Sequence, residues 1–334
     1  MPGATIEEVP KPRRTLLCVL DWGLGHAARS LALLDHPLLA GDEVVIATSG
    51  PAKTFFERER PELTIRDLPP YRVRYPTSSM PLNVALQLPK WAGTVWREHQ
   101  ITERLVAELK IDRIISDNRF GCYATGVPSV FLTHQLHPIT GVKLVNALYR
   151  RYLSRFDAFW VPDQDDRRLS GRLSSAERYE NVRYVGPLSR FGRLPAAAPT
   201  IKTLSLLSGP EPMRGRLEER LLRIIPGIPG RHVVVRGTTA TRITPAPDNV
   251  EVIDFADTKK LEHLFPRAEF IICRAGYSTL MDLAAAGVGA GLIFIPTPGQ
   301  TEQEYLARSL VRSGWGKAVL GQGELTLEAL DSRL

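Results

Sequence analysis

Only three cysteines, Cys18, Cys122 and Cys273, are spread through 334 residues. Their spacing makes neither a disulfide framework nor a cysteine-rich metal site. Cys18 and Cys273 fall inside apolar runs, where a small buried thiol is the ordinary reading. No apolar stretch reaches the roughly 18–20 residues that a membrane span needs. A signal-peptide pattern is missing too, because Lys11, Pro12, Arg13 and Arg14 precede only the short apolar run Thr15–Leu20. Nor is there a basic tail. The net charge is +7, and splitting the chain at Pro187 divides it into +4 and +3. Charge spread in this way does not form an arm that grips nucleic acid. The expectation is a soluble cytosolic protein without a nucleic-acid partner, one that at most touches a membrane at its surface.

What is present fits a packed enzyme-sized chain. Hydrophobic residues make 43% and charged residues 24%, enough apolar surface for a core. The length suits two ordinary domains. Arginine outnumbers lysine 34 to 9. Guanidinium forks suit phosphate and carboxylate groups, although genome base composition explains such a bias equally well. Residues 1–14 are polar and proline-rich, a flexible lead-in. From Thr15 on, short apolar runs alternate with helical patterns: Thr15–Leu20, Glu43–Ala47, Arg113–Ser116, Ser129–Leu132, Ala158–Val161 and Val182–Val185. Alternation of this kind predicts a doubly wound parallel sheet. It pauses over Gly186–Thr200, which holds two glycines and three prolines, and restarts at Thr203–Leu207. Further runs follow at His232–Arg236, Val250–Ile253, Phe270–Cys273 and Gly291–Ile295, with a last helix over Leu325–Leu334. The reading is therefore an α/β protein of two Rossmann-like domains, residues 15–186 and 201–334, joined by a linker at 187–200. Ligands of open parallel sheets bind beyond the carboxyl ends of the strands, so two such sheets facing one another predict a cleft.

Four strand-end segments could carry chemistry. The first is Asp21-Trp22-Gly23-Leu24-Gly25-His26, between a strand and a helix. Glycines let a ligand approach the backbone, and a helix N-terminus favours developing negative charge. No Gly-Lys-Ser/Thr follows and a third glycine is missing, so it is neither a P-loop nor a dinucleotide fingerprint. His26 stands where a general base would work near neutral pH; a plain structural turn is the competing reading. The second is Asp117-Asn118-Arg119, on the same expected rim. Asp117 would orient the imidazole of His26, or else cap a helix beginning at Asn118. His134, after another strand, is a rival base or an acceptor contact. The third is Arg274-Ala-Gly276-Tyr-Ser278-Thr279-Leu-Met-Asp282. Its glycine and hydroxyls at a helix start suit a phosphate, and Asp282 could accept hydrogen bonds from a ribose. The fourth is Pro296-Thr-Pro298-Gly299-Gln300-Thr301-Glu302-Gln303, in which Thr301 caps a helix and Gln303 can bond sugar hydroxyls. Ser208 and Gly209, before a helix expected from Glu211, and Arg236 and Gly237 occupy equivalent rims. Asp163-Gln-Asp165 has a metal-binding form, but a charged helix start is the preferred reading. Met80–Arg97 mixes apolar and basic residues; it would touch lipid or pack as a helix on its own domain.

On these segments the chain resembles the GT-B glycosyltransferases, most closely the family-28, MurG-like group. Gly25-His26 matches that group's glycine-rich turn. Arg274, Gly276, Thr279 and Asp282 match its donor signature, with Asp where Glu is usual, and Gln303 matches its sugar-contacting glutamine. The same segments look like a bacterial branch of the group known mainly through predicted glycosyltransferases. The resemblance implies a nucleotide diphosphate sugar, most often a UDP-sugar, held by the C-terminal domain through Ser208, Gly209, Arg236, Gly237, Phe255, Arg274, Gly276, Ser278, Thr279, Asp282, Thr301 and Gln303. It implies a hydroxyl acceptor, lipid-linked in some members, on the N-terminal side near Trp22, Gly23, Gly25, Asn118 and His134. It further implies an inverting displacement with His26 as base and Asp117 as its orienter, no metal and no other cofactor, and domain closure that excludes water. A nucleotide-sugar hydrolase, a 2-epimerase and a non-catalytic sugar-nucleotide binder are the alternatives on the same scaffold.

Overall fold

The computed structural model describes residues 12–73, 80–139, 143–209, 211–238 and 246–334. Residues 1–11 of the expected lead-in, and Pro210, lie outside them. The first half runs β1 (Arg14–Val19), α1 (Leu24–Leu34), β2 (Glu43–Thr48), α2 (Gly50–Glu59), β3 (Thr64–Asp67), α3 (Met80–Leu109), β4 (Arg113–Asp117), β5 (Ser129–Leu132), α4 (Lys143–Leu153), β6 (Ala158–Val161) and β7 (Val182–Tyr184). Its strands form one sheet in the order β3-β2-β1-β4-β5-β6-β7. The second half runs β8 (Ile201–Leu206), α5 (Met213–Ile224), β9 (His232–Val235), β10 (Val250–Ile253), α6 (Thr258–Leu264), β11 (Ala268–Cys273), α7 (Tyr277–Ala286), β12 (Gly291–Phe294), α8 (Thr301–Arg312), β13 (Ala318–Val319) and α9 (Leu327–Asp331). Its sheet order is β10-β9-β8-β11-β12-β13. The architecture is thus two parallel-sheet, Rossmann-like α/β domains.

Two compact units can be drawn through the chain. Of the described residues, one holds those within 12–72, 89–132 and 151–159; the other holds those within 73–88, 133–150 and 160–334. In the first unit β1 pairs in parallel with β2 on one side and β4 on the other. Leu16, Leu17, Cys18 and Val19 are inaccessible to solvent, as expected of a strand covered on both faces. One core of this unit gathers Leu16, Cys18, Val45, Ile114 and Cys122 beneath Leu105 of α3. In the second unit Leu217 and Leu221, one helical turn apart on α5, pack with Val234, Ile272 and Ile293 of the sheet.

Three local expectations are corrected. No helix begins at Asn118: it adopts φ 55° and turns the chain into a loop, so Asp117 is not a helix cap. Asp163 starts no charged helix either. Its buried carboxylate accepts the backbone N–H of Gln164 (2.8 Å), Leu169 (3.4 Å) and Ser170 (2.8 Å), and the chain passes through turns into a short 3-10 segment, Gly171–Ser174. The helix after Gly209 starts at Met213 rather than Glu211. Two strands escaped the sequence: β3, whose Thr-Ile-Arg-Asp carries one aliphatic residue, and the two-residue β13.

The rim of the first sheet is tied down by Arg119, which is wholly buried. Its guanidinium donates to Glu98 (2.8 Å), Ser49 Oγ (2.8 Å) and the carbonyls of Val19 (2.7 Å) and Pro69 (3.1 Å), and lies 3.4 Å from Asp21. Glu98 also accepts Tyr71 Oη–H and Gly121 N–H. Removing one member of a buried pair strands the other charge. Arg119→Ala should therefore cost about 3–5 kcal/mol of stability, read by denaturant unfolding. The apolar pair Arg119→Met with Glu98→Leu should recover most of that loss. A cost below about 1 kcal/mol for Arg119→Ala would show that the network is not needed.

Candidate active site

The register of β1 against β4 places Val19 beside Asp117, and Leu20 N–H donates to the Asp117 carbonyl at 3.2 Å. The chain leaving β1 therefore turns directly over the end of β4. Gly23 makes that turn at φ 85°, a conformation that disfavours side chains, and is the N-cap of α1. His26 comes in the first turn of α1 and Arg29 and Ser30 in the second. The three side chains converge on Asp117, which is fully buried. His26 Nδ1 lies 2.9 Å from Asp117 Oδ1. Arg29 Nε donates to Oδ2 at 2.9 Å, Arg29 Nη2 donates to Oδ1, and Ser30 Oγ donates to Oδ2 at 2.8 Å. Burial alone would raise the carboxyl; the cationic Arg29 and the imidazole overcome it and hold Asp117 well below the usual carboxylate range.

Two indoles flank this turn. Trp22 is 44% exposed and Leu24 39%. The Trp22 ring lies 6.1 Å from that of Trp91 on α3. Gly25 sits in the first turn of α1, and Asn118 is half-buried beside Asp117. The structure thus brings His26, Asp117, Trp22, Gly23, Gly25 and Asn118 into one neighbourhood. The sequence reading missed Arg29 and Ser30. The signal was there in principle, since Arg29 is three residues and Ser30 four residues beyond His26, on one helix face.

The second unit gathers the remaining strand-end residues along the carboxyl edge of its own sheet. Ser208 and Gly209 follow β8, Arg236 and Gly237 follow β9, and Phe255, 49% exposed, follows β10. Gly276 is the N-cap of α7; no side chain caps this helix, and the space where a Cβ would stand is open for 4 Å. Its first N–H groups, with the half-buried Ser278 and Thr279, suit an anion. Gly209 adopts φ 97°, and a Cβ built there would come 3.6 Å from the hydroxyl of the buried Thr297.

Four residues expected at the ligand are engaged by the scaffold. Arg274 is 1% exposed, and its guanidinium donates to Gln322 Oε1 (2.7 Å) and to the carbonyls of Met213, Ile295 and Pro296. Burial lowers its pKa to about 10. Arg236 is equally buried and pairs with Glu218 and Asp254, both at 2.7 Å. Both arginines therefore stitch loops together from below. Gln303 Oε1 accepts Thr297 N–H at 2.8 Å and fixes the proline loop. Thr301 does not cap α8; Gln300 is the N-cap and the Thr301 hydroxyl donates to the carbonyl of Ile139. His134, expected among the acceptor-side residues, is built into the second unit. Its ring stacks on Tyr277 at 3.9 Å, and its Nε2 lies 2.7 Å from Glu302.

Asp282 sits in the second turn of α7 and accepts a hydrogen bond from Ser189 Oγ at 2.7 Å. Burial pushes its carboxyl up to about 6, against the pull of Ser189 and Arg190. A raised folded-state pKa means that the folded protein binds this proton more tightly than the unfolded chain. The associated stability is complete below about pH 4 and is lost as pH rises through about 6. Asp282→Asn should thus add about 1–3 kcal/mol to the unfolding free energy at pH 7.5 and about nothing at pH 4. Denaturant unfolding at the two pH values checks it; an unchanged or lower stability at pH 7.5 contradicts the reading.

Residues 236–334 match the model of the glycosyltransferase family 28 C-terminal domain. Over 332 residues, spanning 91% of this chain and 83% of the other, the sequence is 25% identical to an uncharacterized glycosyltransferase of Methanosarcina acetivorans. Over 106 residues, 31% of this chain and 29% of the other, it is 33% identical to the UDP-N-acetylglucosamine--N-acetylmuramyl-(pentapeptide) pyrophosphoryl-undecaprenol N-acetylglucosamine transferase of Pasteurella multocida. The fold is similar to that of the glycotransferase of kitacinnamycin, with a TM-score of 0.69 and 16% identity over 97% of this chain and 90% of that one.

Proposed function

Since the chain is a family-28, MurG-like glycosyltransferase, we propose that it transfers a sugar from a nucleotide diphosphate sugar, a UDP-sugar in the first instance, to a hydroxyl acceptor, with His26 as the general base. The observation that carries this reading is the 2.9 Å contact between His26 Nδ1 and Asp117 Oδ1. An ionised carboxylate only accepts, so where the carboxylate commands the ring the proton sits on Nδ1, and Nε2 would then be the nitrogen that takes the acceptor's proton. In the proposed step the acceptor hydroxyl gives its proton to Nε2. Its oxygen bonds the anomeric carbon from the face opposite the leaving group. The bond from that carbon to the diphosphate breaks, its electron pair leaves with the diphosphate, and the configuration inverts. Asp117 stabilises the imidazolium.

The donor is assigned to the second unit. The uncapped N-terminus of α7 at Gly276, with Ser278 and Thr279, would take the diphosphate and the charge that grows on it, in place of a metal. Asp282 would accept from the ribose hydroxyls, and Phe255 offers an exposed ring to the base. The relative from Pasteurella multocida supports a UDP-linked donor by its name. Exposed Trp22 and Leu24 beside His26 suit an acceptor with an apolar part. Trp96, 65% exposed beside the exposed Arg97 on α3, suits contact with an anionic membrane surface. Among the described residues, no helix is long and apolar enough to cross a membrane.

A thermal-shift panel of nucleotides and nucleotide sugars identifies the donor, and acceptor screening with that donor then gives turnover. His26→Ala should lower kcat at least 10²-fold with donor affinity nearly unchanged. Asp282→Ala should weaken donor binding roughly tenfold, about 1.4 kcal/mol. Full activity in both variants overturns the assignment, and free sugar released without any acceptor product identifies a hydrolase instead.

A further inference from the structure

Arg29 is an unusual partner for a catalytic pair. It lies on α1, is 2% exposed, and grips Asp117 through two nitrogens. The nitrogen that reaches Oδ1 is also 2.9 Å from His26 Nδ1. Guanidinium nitrogens only donate and carboxylate oxygens only accept, whereas Nδ1 does either. Two proton arrangements therefore compete. If the carboxylate commands the ring, Nδ1 carries the proton and Nε2 is basic. If the guanidinium donates to Nδ1, the proton moves to Nε2 and the ring cannot act as a base there. The side-on grip, Nε on Oδ2 and Nη2 on Oδ1 with Ser30 also on Oδ2, directs the guanidinium to the carboxylate and leaves Oδ1 facing the ring.

The same contact has an electrostatic consequence. In a bare histidine–aspartate pair, protonating the ring takes the pair from one negative charge to neutral. With Arg29 present, it takes the cluster from neutral to one positive charge. Arg29 of α1 and Asp117 of β4 are charged groups in direct contact with the ring. Asp21, in the loop between β1 and α1, is paired with Arg119 at 3.4 Å. A like charge this close shifts a titration by about 1–3 units.

Resting on the reading of His26 as the base, we propose that Arg29 is a positioning residue for it: it anchors the Asp117 carboxylate on Nδ1 and holds down the proton affinity of the ring, so that His26 stays neutral and able to accept a proton to lower pH than a bare pair would allow. The role follows from the triangle of Arg29 Nη2, Asp117 Oδ1 and His26 Nδ1.

The test uses the full chain. The titration of His26 is followed by NMR without any substrate in the wild type, Arg29→Gln and Arg29→Lys. The acidic limb of kcat/KM is measured in parallel with the donor and acceptor found above. Arg29→Gln should raise the His26 midpoint by at least about one unit and move the acidic limb upward with it. Arg29→Lys, which keeps the charge, should leave both near the wild type. A merely structural arginine would lower the melting temperature or the rate and move neither. An unmoved or lowered midpoint in Arg29→Gln overturns the inference. A midpoint that rises while the limb stays put upholds the coupling and refutes His26 as the base, so the two failures are told apart. Should Arg29→Gln not fold, the ring nitrogen shifts of the wild type decide: a neutral ring protonated on Nδ1 agrees, and one protonated on Nε2 overturns it.

Discussion

A carboxylate shut away from solvent at the end of a strand must find a cation and fill its remaining lone pairs, or give up its charge. Asp117 meets this constraint through α1. Arg29 supplies the charge, Ser30 a hydroxyl and His26 a ring nitrogen. All three come from the first two turns of one helix, so Asp117 fixes where that helix begins and which face it turns inward. Gly23, with its left-handed backbone, allows β1 to pass into α1 over so short a distance. Arg119 braces the same rim from behind by holding Val19, Asp21 and Glu98. The polar cluster at this sheet edge therefore has an electrostatic origin, and the placement of His26 follows from it.

The second unit solves a related problem in another way. Its strand-end loops are fixed from beneath by buried arginines. Arg274 ties the loop after β12 to the start of α5 through their carbonyls and to the Gln322 side chain, and Arg236 pairs with acids on α5 and beyond β10. Gln303 performs the same service for the proline loop. With these side chains committed to the scaffold, the N-terminus of α7 carries no side-chain cap and the space at Gly276 stays open. Asp282 differs from them: its burial pushes the carboxyl up and costs stability near neutral pH.

Much of the architecture was legible in the sequence because parallel strands covered on both faces write continuous apolar runs, such as Leu16–Val19 and Ile271–Cys273. The half-buried β3 and the two-residue β13 leave no such trace. The strand ends carrying His26, Asp117 and Gly276 were legible for the same reason, since a polar or glycine residue after an apolar run marks the edge of a sheet. The partnership of His26 with Asp117 depends on β1 and β4 being neighbours, a fact of topology absent from local spacing. Arg29 was overlooked because an arginine on an amphipathic helix ordinarily faces water. Arg274 and Arg236 have scaffold partners that local spacing does not show. An arginine at a strand end looks like a phosphate ligand, but in both cases loop carbonyls or acids surround the guanidinium. His134 is similar: a histidine after β5 suggests a second base, while the ring is stacked on Tyr277 and engaged by Glu302.

The central claim is that His26 and Asp117 act as one proton-transfer unit in glycosyl transfer. A double-mutant cycle on kcat/KM tests it most directly, with His26→Ala, Asp117→Asn and the combined variant compared against the wild type. Groups that work as a unit lose nearly everything on the first deletion. The account predicts that the double variant is no slower than His26→Ala alone, to within about a factor of two. Losses that multiply in the double variant would contradict it, because each residue would then contribute to turnover independently of the other.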